Sequence, residues 1–269
     1  MSILEFFTYP SLAGIGIAVA FGLFWLAVLR VWQWRGQWLW LGLAGVVLFP
    51  VSIAWIQVPL QSLVNSRLVD LIGPDTFKNW IFLTYVPYML LSGLVQEGAK
   101  LFPIAIYWWT NGRDISPKTG LAVGAMVGAG FGVCEAQWIL NSVFAAGFSW
   151  SAVTLYGFLV LLPFWERFFT VLFHIGATAL TGYGLAKGKG WQFYLMAAGL
   201  HSLANYSTLF YVKGMITDVQ IEAIIAAFAV IILGMVLWLQ RRKEPVPAIS
   251  PPPPAGTPPS APSALPPSL

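Results

Sequence analysis

The sequence contains few charged residues and almost no cysteine. Only 9% of its 269 residues are Asp, Glu, Lys or Arg. The single cysteine, Cys134, excludes an internal disulfide and a Cys-rich zinc site. No HExxH segment, glycine-rich phosphate loop or Ser-His-Asp order stands out. The usual signatures of soluble zinc proteases, nucleotide-binding proteins and serine hydrolases are therefore missing.

Apolar residues dominate what is present. The chain is 58% hydrophobic, with a mean hydropathy of +0.75, and a soluble domain of this length could not bury that much apolar surface. We expect an all-α, polytopic membrane helix bundle in the plasma or inner membrane, with the lipid bilayer as solvent. The net charge of +4 is spread over short loops, which argues against nucleic-acid binding and favours contact with anionic lipid.

Hydrophobic periodicity predicts about seven transmembrane helices, the first of them a retained span rather than a cleaved signal peptide. With the N-terminus outside and the C-terminus cytoplasmic, nine basic residues fall on the inner side and three on the outer side. The predicted spans cover residues 10–31, 38–58, 80–109, 119–141, 163–186, 191–212 and 219–240.

Three segments depart from this pattern. Residues 61–79 are predicted to form an outer loop with a short amphipathic interfacial helix. Residues 148–162 are too short to cross a bilayer and are either re-entrant, interfacial or an extension of the fifth helix interrupted at Pro163. Residues 1–244 form the transmembrane domain, with the site helices within residues 80–212. Residues 245–269 are a disordered, Pro-rich cytoplasmic tail that is either a spacer or a docking segment for a cytoplasmic partner.

Four ionisable residues lie deep inside four different apolar segments: Glu97, Glu135, His174 and His201. Counted along their helices, all four lie on the order of 15–24 Å from the inner end. Charged groups at that depth usually face a protein interior or a water-filled cavity. The shared level predicts one polar centre built by four helices.

Each of these residues also has a purely structural interpretation. Glu97 and Lys100 are three residues apart and could simply form an internal ion pair. Glu166 and Arg167 could pair with each other or with a loop, and His174 could be a neutral core histidine. His201 could form an inter-helix hydrogen bond with another polar residue. Glu135 lies beside a small-residue stripe typical of close helix packing, where a carboxylate needs a cation, a proton or a metal nearby. The stripe consists of Gly120, Gly124, Gly128 and Gly132.

Four ordered motifs resemble the membrane-embedded CAAX-protease superfamily. They are QEGAK at 96–100, GFGVCE at 130–135, ERFFTVLFH at 166–174 and HSLAN at 201–205. The set is similar to the EExxK, FxxxE and HxxxD-like motifs of PrsW-type proteases, and its ER…H part resembles the YhfC-type intramembrane metalloproteases. The resemblance covers approximately residues 91–206.

The resemblance implies a role for each matching residue. Glu97 would polarise the attacking water, Lys100 fills the basic position of the motif, and Asn205 would stabilise the oxyanion. His174 and His201 would bind a metal or position the water, with Glu135 as a catalytic residue or a further ligand and Zn²⁺ as the implied ion. One position departs from the family, because Gln96 stands where the first glutamate is usual. If that first glutamate is the general base, Glu97 would have to take over its role.

The sequence therefore predicts an intramembrane metalloprotease. Water activated by Glu97 or Glu135, with zinc as a candidate cofactor, would hydrolyse a peptide bond in a membrane-protein or lipid-modified substrate. Two other interpretations stay open. Glu97, Glu135 and His174 could relay protons in a coupled transporter, or the polar centre could only fix helix packing in a scaffold or immunity-type protein.

Overall fold

A computed structural model of the chain describes residues 3–31 and 38–242. All regular structure in these residues is helical, with short 3₁₀ segments at Ile3–Phe7 and Phe158–Leu161. The predicted Pro-rich tail at 245–269 lies outside the described residues. The α-helices are α1 (Leu12–Val28), α2 (Leu39–Ser52), α3 (Val58–Ile72), α4 (Pro74–Asn79), α5 (Ile81–Thr84), α6 (Val86–Thr110), α7 (Pro117–Ala145), α8 (Trp150–Tyr156), α9 (Leu162–Ala186), α10 (Gly190–Val212) and α11 (Asp218–Arg241).

Five helical segments among the described residues are long and apolar enough to cross a membrane. The chain is thus a multi-pass membrane protein, but two of the seven predicted spans do not meet these criteria. Helix α1 has only 17 residues, and the polar side chains of α10 lower its mean hydropathy. The five segments are Leu39–Ile72, Ile81–Thr110, Pro117–Ala145, Phe158–Ala186 and Asp218–Arg241.

The loop predicted for residues 61–79 is mostly wrong. A π-helical segment, Ile53–Gln57, joins α2 to α3 without a break, and the helix continues to Ile72. Its charged residues Arg67 and Asp70 are exposed, so they do not interrupt the backbone hydrogen bonds. The helix ends at Gly73, whose φ of 81° is the left-handed conformation that favours glycine.

Residues 148–162 do not form a crossing of their own. They contain the seven-residue helix α8, then Gly157 with a φ of 76°, and then the 3₁₀ segment that leads into α9. Pro163 lies in the first turn of α9, where its missing N–H group costs no helical hydrogen bond. Pro163 therefore lies at the start of α9, the fifth of the predicted spans, and does not interrupt it.

The glycine stripe of α7 packs against α9, as the sequence predicts. A Cβ atom built on Gly124 would lie 2.2 Å from the carbonyl oxygen of Thr178, and one built on Gly128 would lie 2.4 Å from that of His174. Only glycine permits so close an approach of two helix backbones in a membrane. The stripe thus brings α9, and His174 with it, directly against the helix that carries Glu135.

The remaining helices surround this central pair. Helices α1 and α2 pack on α7, α11 packs on α9, and α10 packs on both α6 and α9. Close contact between α6 and α10 depends on Gly93, because a Cβ there would lie 2.3 Å from the carbonyl oxygen of Ala198. The four helices that carry the predicted polar centre, α6, α7, α9 and α10, therefore meet inside one bundle.

Candidate active site

The four deep ionisable residues converge, and each comes from a different helix. Glu97 lies on α6, Glu135 on α7, His174 on α9 and His201 on α10. Glu97, His174 and His201 are at most 4% exposed. Lys100, one turn after Glu97 on α6, is completely buried in the same cluster.

A continuous chain of hydrogen bonds joins these side chains. Glu97 Oε1 accepts from Lys100 Nζ at 2.6 Å and from His201 Nδ1 at 2.7 Å. Lys100 Nζ also contacts His174 Nδ1 at 3.0 Å, and His174 Nε2 contacts Glu135 Oε2 at 2.8 Å.

The chemistry of the donors fixes the tautomers of both histidines. An ammonium group can only donate, so His174 Nδ1 accepts from Lys100, and its Nε2–H donates to Glu135. A carboxylate can only accept, so His201 Nδ1 carries a hydrogen and donates to Glu97. In the neutral ring, Nε2 of His201 keeps a free lone pair.

Arg167 extends the cluster in the direction of the α9 N-terminus. Its guanidinium donates to Glu135 Oε1 at 2.8 Å and also to Glu166. The sequence predicted the contact with its neighbour Glu166, but not the longer-range bond to Glu135. Glu135 thus receives a hydrogen bond on each oxygen, one from His174 and one from Arg167, which fixes the orientation of its carboxylate.

Two aromatic rings enclose the histidines. The ring of Phe131 lies 5.3 Å from that of His174, and the Lys100 ammonium lies 5.0 Å from its centroid. Phe173 packs edge-on against His201 at 5.5 Å. The FxxxE motif therefore supplies both a carboxylate and an apolar wall that limits rotation of the His174 ring.

One side of the cluster faces a cavity of about 70 Å³. Its walls include Glu135, Arg167, His174, His201 and Asn205, whereas Glu97 and Lys100 lie behind the histidines and do not line it. The side chain of Glu135 is 18% exposed, against 1% for Glu97. A water molecule in this cavity therefore meets Glu135, and Glu97 is shielded from it.

The small cavity continues into a larger groove between α9, α10 and α11. The groove has a volume of about 500 Å³, and it shares the wall residues Glu166, Thr208 and Ile225 with the small cavity. Its outer part is lined by Tyr211, Asp218 and Glu222. This groove gives the polar centre an opening near the N-termini of α9 and α11.

Two other motif residues have separate partners. Asn205 lies in the cavity wall one turn from His201, and its amide donates to Ser92 Oγ at 2.8 Å. Gln96 is buried on another side of α6, where its amide donates to Gln57 Oε1 in the π-helical segment at 3.0 Å. The residue in the first-glutamate position thus contacts the α2–α3 helix, a partner that no motif or spacing indicated.

Three of the buried side chains could hold a metal ion. Glu97, His174 and His201 each offer a ligand atom, and these atoms all lie within 4.8 Å of one another. Two imidazoles and one carboxylate form a known catalytic zinc set. Glu97 Oε2 is buried and has no hydrogen-bond partner among the described residues, so a cation there would satisfy it. The site residues can therefore hold a metal if the Lys100 ammonium leaves the His174 Nδ1 lone pair that it occupies, since Glu135 is bonded to the other nitrogen of that ring.

Comparison with known proteins identifies a family. The family model described as PrsW family intramembrane metalloprotease matches residues 37–238, which is more than half of the chain. No curated protein and no solved structure matches the sequence.

Proposed function

Because the chain belongs to the PrsW family of intramembrane metalloproteases, we propose that it hydrolyses a peptide bond of a membrane-associated or lipid-modified protein in the cavity bordered by Glu135, His174 and His201. The observation that supports this proposal is the cavity itself. A carboxylate and two imidazoles from three different helices meet there beside space for water. Amide hydrolysis inside a bilayer needs such a group and such a space.

We assign the general base to Glu135. It borders the cavity, whereas Glu97 is enclosed behind the histidines. The hydrogen bonds from His174 and Arg167 hold the Glu135 carboxylate at the cavity wall, where it can accept a proton from the attacking water. The same carboxylate can then return the proton to the leaving amine.

We assign the metal ligands to Glu97, His174 and His201, with zinc as the proposed ion. When bound there, zinc would polarise the substrate carbonyl, while Glu135 acts on the water in the cavity. Glu135, bonded to His174 Nε2, orients this ligand ring from the far side, an arrangement common around zinc-bound histidines. Lys100 adds a positive charge beside Glu97 and His174.

Asn205 is the proposed oxyanion donor. It shares the cavity wall with His201 and could direct its amide N–H towards a substrate carbonyl. In the substrate-free arrangement this amide donates to Ser92 Oγ. The role therefore requires the amide to exchange Ser92 for the substrate.

The groove between α9, α10 and α11 is the proposed substrate path. Five of the ten acidic residues of the chain lie along the way from the metal ligands to its outer part, with two cations among them. The acids are Glu97, Glu135, Glu166, Asp218 and Glu222, and the cations are Lys100 and Arg167. This excess of negative charge favours a substrate segment that carries Lys or Arg near the cleaved bond.

The proposed topology has seven crossings, with the N-terminus outside and the C-terminus in the cytoplasm. The basic residues support it by their uneven distribution over the loops. In this orientation the groove opens towards the outer surface of the plasma or inner membrane, and cleavage occurs on that side. The Pro-rich tail would then be available to a cytoplasmic partner.

Proton-coupled transport is supported less well. A transporter needs a path that reaches both ends of the bundle alternately. The cavity at the polar centre opens near the start of α11. A separate cavity beside the last turn of α11, lined by Gln240 and Arg241, shares no wall residue with it. The hydrogen-bonded chain would otherwise suit a proton relay.

The proposal is tested with fluorogenic peptides that contain an apolar segment, mixed with the full-length protein in liposomes. We expect cleavage by the wild type and its loss in Glu97→Ala, Glu135→Ala and His201→Ala. Asp70→Asn, an exposed acid on α3, is the matched control and should cleave normally. Full activity in all three site variants would rule out hydrolysis at this site.

A further inference from the structure

Lys100 is one of the largest side chains that are completely buried in the described part of the chain. Its exposed fraction is 0%, and a buried ammonium is stable only where acceptors and a negative charge surround it. Its Nζ lies 2.6 Å from Glu97 Oε1 and 3.0 Å from His174 Nδ1. Both of these acceptors belong to proposed metal ligands, so the ammonium lies within the candidate metal site itself.

An ammonium and a metal ion would compete for one atom of this site, His174 Nδ1. The other nitrogen of the ring, Nε2, carries a hydrogen and donates it to Glu135. Nδ1 is therefore the nitrogen through which His174 would bind a metal, and it has a single lone pair. Because Lys100 donates to that lone pair, His174 becomes a ligand only after the ammonium has left it.

The other two ligand residues keep a free lone pair while Lys100 stays in place. Glu97 accepts from Lys100 and from His201 Nδ1 on the same oxygen, Oε1. Its Oε2 has no hydrogen-bond partner in residues 3–31 and 38–242. His201 donates through Nδ1, so the lone pair of its neutral ring is on Nε2. The Lys100 contact therefore blocks one of the three ligands, His174.

The Lys100 ammonium can leave His174 without losing every partner. Its Nζ lies 5.0 Å from the centroid of the Phe131 ring, a distance at which the face of an aromatic ring attracts a cation. Lysine carries its charge on a flexible four-carbon stem, so the ammonium can move while the backbone stays in α6. The attraction to Glu97, one turn away on the same helix, persists over such a movement.

From these contacts, and resting on the proposed metal ligands, we infer that Lys100 is a built-in competitor of the metal. Its ammonium occupies His174 Nδ1 and neutralises Glu97 until a metal binds, and it then leaves His174. The exchange keeps the buried charges of the metal-free protein paired, so the fold does not depend on the metal as it does in structural zinc sites. It also weakens metal binding, because a contact must break and a divalent ion repels the released ammonium.

The inference predicts that removing the ammonium tightens metal binding. The affinity for Zn²⁺ is measured on the full-length protein in a neutral detergent, by competition with a chromophoric chelator. Lys100→Met keeps an unbranched side chain without the charge, and it should bind Zn²⁺ at least about tenfold more tightly than the wild type, since changes beside a metal ligand alter affinity by about 10–100-fold. Arg167→Met is the matched control and should gain less. It removes a cation of the same cluster that bonds Glu135 and Glu166 and none of the three ligands.

A double-variant cycle separates competition for His174 from the loss of one positive charge. In the His174→Ala background the atom for which Lys100 competes is gone, so adding Lys100→Met should change the Zn²⁺ affinity much less than it does in the wild type. A gain that persists in full in that background, or an equal gain in Arg167→Met, would be a general effect of charge. Either result would overturn the inference and leave the proposed ligands in place. If neither the wild type nor Lys100→Met binds Zn²⁺, the proposed ligands and the inference both fail.

Thermal unfolding with and without Zn²⁺ provides a second measurement, which also applies if metal-free Lys100→Met folds poorly. This variant leaves the Glu97 carboxylate buried without its cation, so without metal it should unfold at a lower temperature than the wild type. Zn²⁺ should then raise its unfolding temperature by more than that of the wild type, because the ion replaces the lost charge without breaking a contact. Folding of Lys100→Met only in the presence of Zn²⁺ would support the inference in the same way. An equal or smaller rise than in the wild type would contradict it.

Discussion

Arg167 provides the sharpest test of how the carboxylate at the cavity is held. It donates to Glu135 at 2.8 Å and to Glu166, and its side chain is 8% exposed. Replacing it with methionine keeps most of the side-chain volume but leaves two carboxylates without their shared cation. Breaking a buried ion pair on one side costs about 3–5 kcal/mol. Because Glu135 and Glu166 are 18% and 29% exposed, we expect the low end, about 3 kcal/mol of unfolding free energy.

Arg167→Met should lose more activity than its loss of stability accounts for. Without Arg167, the Glu135 carboxylate keeps only the hydrogen bond from His174 and can turn away from the cavity. A displacement of about 1 Å at a catalytic group lowers the rate on the order of a hundredfold. A metal at the proposed site should stay, since Glu97, His174 and His201 do not contact Arg167. Reversible unfolding in mixed micelles, peptide cleavage and metal content together measure the three effects.

Two further variants separate positioning from general instability. Arg167→Lys should recover part of the stability and activity, because an ammonium can pair with one carboxylate but lacks the fork that spans two. Arg113→Met, which removes an exposed guanidinium 5.6 Å from the Trp108 ring, should cost less than about 1 kcal/mol and keep full activity. If Arg167→Met is as stable and as active as Arg113→Met, the reasoning about Glu135 is refuted.

Three other predictions follow from the same geometry. Glu97→Gln and His201→Ala should each lower the metal content of purified protein, whereas Glu135→Gln should keep the metal and lose cleavage; equal metal in all three variants would contradict the ligand assignment. Gly128→Ala should cost about 1–3 kcal/mol and most of the activity because its Cβ would lie 2.4 Å from the His174 carbonyl oxygen, whereas Gly16→Ala, with nothing within 4 Å, should be harmless when both are measured by unfolding. Glu222→Lys should slow the cleavage of peptides with a lysine three or four residues from the cleaved bond by roughly fivefold. Glu222 lines the groove together with Glu166, which lies eight residues, or about 12 Å, from His174 along α9, and an extended peptide covers that distance in three or four residues. Asp70→Lys is the control, and an unchanged preference for lysine would count against the acidic path.

The membrane class and the convergence of the buried residues could be predicted from the sequence. A charged side chain in an apolar helix must face a polar interior, and this chain has few such side chains. Glu97, Glu135, His174 and His201 were expected at one depth, and the structure joins them by hydrogen bonds. The glycine stripe likewise predicted a close helix contact, which α9 provides. Spacing predicts the depth and the helix face of a residue because both follow from the helix repeat alone.

What the sequence did not reveal depends on how each helix is rotated and on partners far along the chain. Spacing could not distinguish Glu97 from Glu135 as the group that meets water, since both lie at the same depth. The bond from Arg167 to Glu135 spans 32 residues, and the shorter contact with Glu166 was the only one that spacing suggested. The helix after Gln61 was missed because Arg67 and Asp70 resemble loop residues, although they only face outwards from a continuous helix.

The balance of charge in the buried cluster favours the binding of a cation. Three carboxylates, from Glu97, Glu135 and Glu166, are joined to two cations, Lys100 and Arg167. With both histidines neutral, the cluster keeps one net negative charge in a region where unbalanced charge is costly. Glu97 Oε2 is also the carboxylate oxygen of this cluster that is buried without a described partner. A divalent cation held by Glu97, His174 and His201 would satisfy that oxygen and turn the sign of the cluster from negative to positive. Positive charge at the cavity wall is what stabilises the oxyanion that forms when water attacks a peptide carbonyl.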